Sequence, residues 1–320
     1  MIVCKFGGSS VASTSGIENI KKISKDKRRK IFVFSAIGKS TKNDNKITDL
    51  LFEFCKEKKY IKKQEIINKI KLKFDKLTNL LHVNMEFPEI FSIFFKNKNK
   101  NYIISRGEYF TAQIMSKYLK IKYVPAEYVI CFKNGVFDEK TTAIKTKKFL
   151  KKYGRFCTGG FYGYDYVTRE IVLFERGGGD ITGAILAKIT NAKIYENYTD
   201  VCGVKMANPN VVDNPKTIKK LSYKQMMEVA SNDGKVLHMD VCKILENTNV
   251  KTKIKNTFCP NGKNTTIDRK KRKAKFLCFQ KHNKEMTIFV YDNENKREIK
   301  CEEKDFKTTM REEYEKLIGG

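Results

Sequence analysis

A chain of 320 residues with 41% hydrophobic content and a formal charge of +29 is long enough to bury a sizeable core in two lobes or domains, which excludes a disordered tail. It has no run of about 18 apolar residues to span a bilayer, and its opening run stops at Gly7, too soon for a signal peptide, so a soluble cytoplasmic protein is expected. The nine cysteines form no Cys-x-x-Cys pair and no cluster with His82, His238 or His282, which argues against zinc and disulfides, and the lysine excess is spread without aromatic-interleaved clusters, so neither a specific nucleic-acid partner nor a membrane is expected.

Along the chain, Ile2-Val3-Cys4-Lys5-Phe6 reads as a strand broken by Gly7-Gly8-Ser9-Ser10, and Ile17, Ile20 and Ile23 recur beyond it at helical spacing. Ile31-Phe32-Val33-Phe34 is a second β-rich run, followed by a small and polar loop. Ile66, Ile70, Phe74, Leu77 and Leu81 write a long amphipathic helix with lysines on its other faces. Tyr102-Ile103-Ile104-Ser105 and Lys122-Tyr123-Val124 are expected as strands, with a helix over 109–119 between them. Ile171-Val172-Leu173-Phe174 is another expected strand, ending in Glu175-Arg176-Gly177-Gly178-Gly179-Asp180 before a helix over 181–190, and Ala192-Lys193-Ile194-Tyr195 follows as a strand. Strands alternating with helices imply an α/β fold: a mostly parallel sheet covered on both faces, with ligands collecting beyond the carboxyl ends of the strands. The character changes at Asp268. The basic run Arg269-Lys270-Lys271-Arg272-Lys273 reads as a solvated linker, residues 276–279 and 286–291 as two strands, and residues 306–317 as a charged helix.

Glycines directly after a buried strand let backbone N–H groups approach an anion, and Lys5 ends that strand with its ammonium over the same spot. A glycine pair alone marks a turn just as readily. Gly38-Lys39-Ser40 resembles the end of a P-loop, but Val33 stands where the earlier glycine is required, and there is no Gly-x-Gly-x-x-Gly. Glu108, in Ser105-Arg106-Gly107-Glu108, could point into a cleft or serve as a first-turn helix acid. The segment from Arg176 to Asp180 is less ordinary, since three glycines clear room for a ligand beside a planar arginine fork suited to a carboxylate.

The order and spacing of these motifs resemble the aspartate kinases, a branch of the amino-acid kinase superfamily. Lys5-Phe6-Gly7-Gly8-Ser9-Ser10-Val11-Ala12 matches the family's opening motif and Ser105-Arg106-Gly107-Glu108 its second signature. Gly160-Phe161-Tyr162-Gly163, Thr199-Asp200-Val201-Cys202-Gly203-Val204, Gly234-Lys235-Val236-Leu237-His238 and Asn256-Thr257-Phe258-Cys259-Pro260 complete the set. The resemblance covers residues 1–267 and implies a catalytic domain over that range, a three-layer sandwich around a mostly parallel sheet, with residues 268–320 as a linker and short tail resembling the start of a truncated ACT domain. It implies transfer of the γ-phosphoryl group of ATP, with Mg²⁺, to the β-carboxylate of L-aspartate, the first step toward lysine, threonine and methionine.

By the same resemblance, Lys5 and Lys235 neutralise the transferring phosphoryl group and Asp180 holds them. Arg176 takes the α-carboxylate of aspartate, Glu108 its α-ammonium, and Thr48 touches the bound amino acid. Gly7, Gly8 and Ser9 contact phosphate, while Thr199, Asp200 and Lys205 line the nucleotide pocket. No resident metal is implied. Gly179 replaces a usual Ser, residues 205–210 replace a segment that touches the nucleotide, and Met239 replaces a usual Pro. With no complete ACT pair after residue 267, lysine and threonine are expected to leave activity unchanged, and any homodimer to be weak or formed through the kinase domain. Other readings are a kinase for glutamate, acetylglutamate or uridylate, which lacks one or other signature, and a non-catalytic binding or regulatory protein derived from a kinase.

Overall fold

The computed structural model describes residues 1–41, 43–85, 99–175, 177–232, 236–283, 285–293 and 295–319. They form two compact units, Met1–Asp200 and Val201–Gly320, a division that falls earlier in the chain than the boundary expected at 267/268.

In the first unit, β1 (Ile2–Phe6) leads through the short helix α1 (Gly8–Val11) into α2 (Thr14–Ser24). Ser13 caps α2, its side chain accepting from the Gly16 N–H, and Ile17, Ile20 and Ile23 are buried at the expected helical spacing. Then come β2 (Arg29–Phe34), α3 (Ile47–Lys56), α4 (Tyr60–Leu81) and α5 (Lys100–Leu119). After them follow β3 (Lys122–Tyr123), β4 (Cys131–Lys133), β5 (Val136–Phe137), α6 (Glu139–Tyr153), β6 (Phe156–Gly159), β7 (Tyr162–Asp165), β8 (Glu170–Leu173), α7 (Gly178–Ile189) and β9 (Ile194–Thr199).

Five of these strands pair in the order β9-β1-β2-β6-β3, every neighbour parallel. Such strands are buried on both faces, which is why β1 and β2 read as continuous apolar runs rather than alternating ones. Cys4, Phe6, Phe32 and Phe34 share one core with residues of α2, α3, α4 and α5. Phe6 stacks on Phe34 and Tyr198 there, at centroid distances of 5.5 and 4.9 Å. Helix α7 lies against the opposite face, where the Tyr195 hydroxyl donates to the Asp180 carbonyl at 3.1 Å.

Two expectations are corrected. Residues 102–105 are helical, part of α5, so Glu108 lies well inside a helix rather than at its opening. The helix is capped by Asn99, whose side chain accepts from the Tyr102 N–H, and it is buried on several faces, so its apolar run imitates a strand. Residues 171–173 do form a strand, β8, but it pairs antiparallel with β7 in a separate sheet of order β5-β4-β7-β8, outside the parallel one.

The second unit holds β10 (Lys220–Ser222), α8 (Tyr223–Asn232), α9 (Met239–Leu245), β11 (Lys251–Asn256) and β12 (Thr265–Asp268), with β10 and β12 parallel and β11 and β12 antiparallel. The tail adds a meander, β13 (Lys275–His282), β14 (Glu285–Asp292) and β15 (Asn295–Glu302), and the helix α10 (Phe306–Gly319). Leu277, Ile288, Met310 and Tyr314 share a core with Ala207, Val211 and Val212, so the tail packs on the segment that opens its own unit. Strand β15 escaped the sequence reading because only Ile299 and Cys301 of its eight residues turn inward. No helix of the described residues is long and apolar enough to cross a membrane.

Candidate active site

The carboxyl ends of β1, β2 and β6 meet at a set of glycine turns. After β1 the chain turns at Gly7, whose N–H donates to the Tyr198 carbonyl at 3.0 Å, and after β2 the Ser35 N–H donates to the Phe6 carbonyl at 3.1 Å. After β6, Gly160 donates to the Phe34 carbonyl at 3.0 Å, and Phe161 adopts a left-handed φ of 78° that brings its N–H to Thr182 Oγ1 at 3.0 Å. Three turns from neighbouring strands are thereby stitched into one floor.

Into this floor Lys5 extends its side chain. Its Nζ lies 2.7 Å from Asp180 Oδ1 in the first turn of α7, with the two side chains only 11% and 16% exposed. A Cβ at position 7 would stand 3.6 Å from the same Nζ, so the ammonium lies over the glycine turn. Gly177 allows the chain to enter α7, at φ 83°. Gly179 lies close to both neighbours: a Cβ there would stand 2.9 Å from Ser35 Oγ and 3.3 Å from Lys5 Cε, so those side chains would have to shift, and a Cβ at position 160 would lie 2.8 Å from Gly179 Cα. The glycine that stands for a usual serine thus leaves the Lys5 and Ser35 side chains room at this point.

Glu108 reaches the same floor from α5. It is buried, and Oε1 accepts from the Ala36 N–H at 3.2 Å, while Oε2 is buried with no partner. Burial pushes its carboxyl up to about 8, against the pull of the Ala36 N–H and the positive charge of Lys5. A carboxyl group held this way is poised to take a cation. An arriving ammonium would supply both the missing hydrogen bond and the charge that keeps it ionised.

Of the residues singled out from sequence, Lys5, Asp180 and Glu108 converge, with Gly7, Gly8 and Ser9 at the turn below Lys5. Thr48 is half-buried in the first turn of α3. Thr199 ends β9, its hydroxyl donating to Asp200 Oδ1 at 3.0 Å. Lys205 belongs to the second unit, where its Nζ donates to Thr217 Oγ1 at 3.0 Å. Arg176 and Lys235 lie outside the described residues. Arg106, inside the second signature, turns away from the site: it pairs with Glu127 at 2.7 Å and its guanidinium lies over the rings of Tyr102 and Tyr109. Ser35 and the Ala36 N–H belong to the site and were not singled out, because a backbone donor leaves no mark in a sequence.

Comparison with known proteins gives a consistent picture. Residues 1–256 match the Amino acid kinase family. The chain is 30% identical to Aspartokinase 3 of Bacillus subtilis over 290 residues, 83% of this chain and 63% of that one. It is 27% identical to the aspartokinase of Chlamydia trachomatis, covering 83% and 64%. The crystal structure of Clostridium acetobutylicum aspartate kinase matches at a TM-score of 0.77 and 34% identity, covering 83% of this chain and 63% of that one. Escherichia coli aspartokinase III, crystallised in complex with aspartate and ADP, shares the fold at a TM-score of 0.69 and 20% identity. The chain spans a little under two thirds of the length of these relatives.

Proposed function

The chain belongs to the amino acid kinase family, and within it we propose an aspartate kinase, which transfers the γ-phosphoryl group of ATP to the β-carboxylate of L-aspartate to give ADP and 4-phospho-L-aspartate. One observation carries the reading. At one end of the parallel sheet, a lysine held by an acid over a glycine turn stands beside a buried carboxyl group with an unpartnered oxygen. The first arrangement suits a phosphoryl group and the second suits an ammonium, which an amino-acid acceptor brings and a nucleotide or simple acid acceptor does not. The named aspartokinases among the relatives support the same choice.

The β-carboxylate is already a nucleophile at neutral pH, so the chemistry needs positioning and charge neutralisation rather than a general base. Lys5 offsets charge on the phosphoryl oxygens, and Asp180 keeps its ammonium aimed at the turn. Glu108 holds the α-ammonium, with Thr48 beside the bound amino acid. From the sequence motifs, Arg176 takes the α-carboxylate and Lys235 joins Lys5 at the phosphates. Gly7, Gly8, Ser9, Thr199, Asp200 and Lys205 are assigned to the nucleotide. Mg²⁺ supplies charge neutralisation between the phosphates when bound with ATP, and phosphate oxygens with water are its usual ligands. The catalytic domain is proposed to run through residue 267 and the product to feed lysine, threonine and methionine synthesis, with any homodimer weak or formed through that domain.

Hydroxylamine tests the reading, because it traps an acyl phosphate as a coloured hydroxamate. Protein with ATP, Mg²⁺ and aspartate should give colour that a Lys5→Met variant reduces by roughly 10²- to 10³-fold. Equal colour from both proteins, or none from either, contradicts it.

A further inference from the structure

The connection from β2 to α3 is polar and small along most of its length, with Gly38-Lys39-Ser40 in its middle and Asp44-Asn45 near its end. Its base is closed by the Ile47 N–H donating to the Ile37 carbonyl at 3.0 Å. Its middle is held from outside. Lys73, on α4, sends Nζ to Asp44 Oδ2 at 2.6 Å, to the Asn45 carbonyl at 2.7 Å and to the Gly38 carbonyl at 3.2 Å. An ammonium has three donors, and all three are spent on this one loop. Asp44 Oδ2 in turn accepts from the Ser40 N–H and hydroxyl, both at 2.8 Å.

Other lysines of α4, among them Lys62, Lys69, Lys71 and Lys76, are exposed, whereas Lys73 has a side chain only 15% exposed. Holding a long side chain in one conformation costs rotamer freedom, and Lys73 is spent in that way on the loop. The far side of that loop meets the phosphate turn. The Gly38 N–H donates to the Gly8 carbonyl at 3.0 Å, and a Cβ at position 38 would come within 2.6 Å of the Gly8 carbonyl carbon. Past Asn45 the chain enters α3, where Thr48 lies in the first turn.

We infer that Lys73 is a positioning residue for the amino-acid substrate: through Asp44, Asn45 and Gly38 it orders the loop that leads to Thr48 before that substrate arrives. The inference rests on the aspartate kinase reading. The glycine turn has its own supports, Gly7 N–H to the Tyr198 carbonyl and Ser10 N–H to the Gly7 carbonyl, both at 3.0 Å. Freeing the loop therefore burdens aspartate more than ATP.

The test uses Lys73→Cys in the full chain. Its KM for aspartate should rise about tenfold while its KM for ATP changes by less than about twofold, because only the aspartate side must now order the loop on binding. Alkylation with 2-bromoethylamine rebuilds an ammonium of nearly lysine length and should restore the aspartate KM. Wild-type protein treated in parallel controls for other thiols, of which Cys259 is exposed. Hydrogen exchange of residues 37–47 without ligands should be faster in Lys73→Cys and slow again after alkylation. A merely structural lysine would lower kcat through a smaller active fraction and leave both KM values alone, which overturns the inference, as does unchanged exchange in the loop. Wild-type protein that phosphorylates no aspartate sinks the parent reading instead, and the exchange arm still decides whether Lys73 pins the loop. If Lys73→Cys does not fold, Asp44→Asn should show the same pattern at smaller size, and an unaltered aspartate KM there overturns the inference.

Discussion

Glu108 has to meet two demands that oppose each other, burial to keep water from the acceptor and charge to hold an ammonium. Its carboxyl is pushed up to about 8 by burial, against an ordinary value of 4.5. The bound proton therefore stabilises the empty site, a contribution fully present below about 4.5 and lost as pH rises through about 8. Aspartate needs the ionised form, so kcat/KM for aspartate should rise about tenfold per pH unit below 8 and level off above it. Glu108→Gln should lose this slope and bind aspartate roughly 10²-fold more weakly, since a buried ammonium keeps only a neutral partner. A pH-rate profile of both proteins checks this, and a slope that survives in Glu108→Gln assigns the proton elsewhere. Lys5, Asp180 and Glu108 were legible in the sequence because each borders glycines or a signature whose spacing is unusual. Ser35 and Ala36 were not, since their contribution is a short hydroxyl and a backbone N–H.

Helix α5 shows how an element is placed by one side and used on the other. Its inner face presents Glu108 to the site, while two residues earlier Arg106 locks the opposite face through Glu127, Ser105 and the rings of Tyr102 and Tyr109. Arg106 is buried, and Glu127 is further engaged by the Tyr162 hydroxyl at 3.2 Å. Arg106→Met should therefore destabilise the protein by about 1.5–3 kcal/mol, because a half-buried carboxylate loses its charged hydrogen-bond partner, and Arg106→Met with Glu127→Gln should recover much of that loss. Urea unfolding measures it. A loss below about 1 kcal/mol would class the pair with surface ion pairs and remove its claim on the helix. The same helix explains why residues 102–105 misled the sequence reading, since a short apolar run has no period when every face is covered. For β8 the strand was legible and its sheet was not, because pairing depends on a partner, β7, that sequence spacing does not name. Elements with one exposed face, such as α2 and α4, were read correctly because solvent leaves lysines on one side and isoleucines on the other.

At the scale of the chain, two units carry separate cores, and in the second the tail helix α10 closes over β13, β14 and residues 207–212. Met310 is fully buried in that core, so Met310→Ala should cost about 2–5 kcal/mol and be seen as a lower unfolding midpoint. A near-neutral result would make α10 a loose appendage. The charge of +29 comes from lysines spread along the whole sequence. Polyanion binding should therefore be weak and fall steeply between about 50 and 200 mM salt, and at the higher salt RNA should leave aspartate-dependent turnover unchanged. Retained tight binding of one RNA sequence would show a specific face. Phosphorus NMR of protein with ATP and Mg²⁺ shows whether this site phosphorylates the side-chain carboxylate of aspartate. An acyl-phosphate resonance should grow with ADP only when aspartate is present, be absent with glutamate and be strongly reduced in Lys5→Met. ADP formation that is indifferent to aspartate, or an acyl phosphate formed equally well on glutamate, would contradict the aspartate kinase reading.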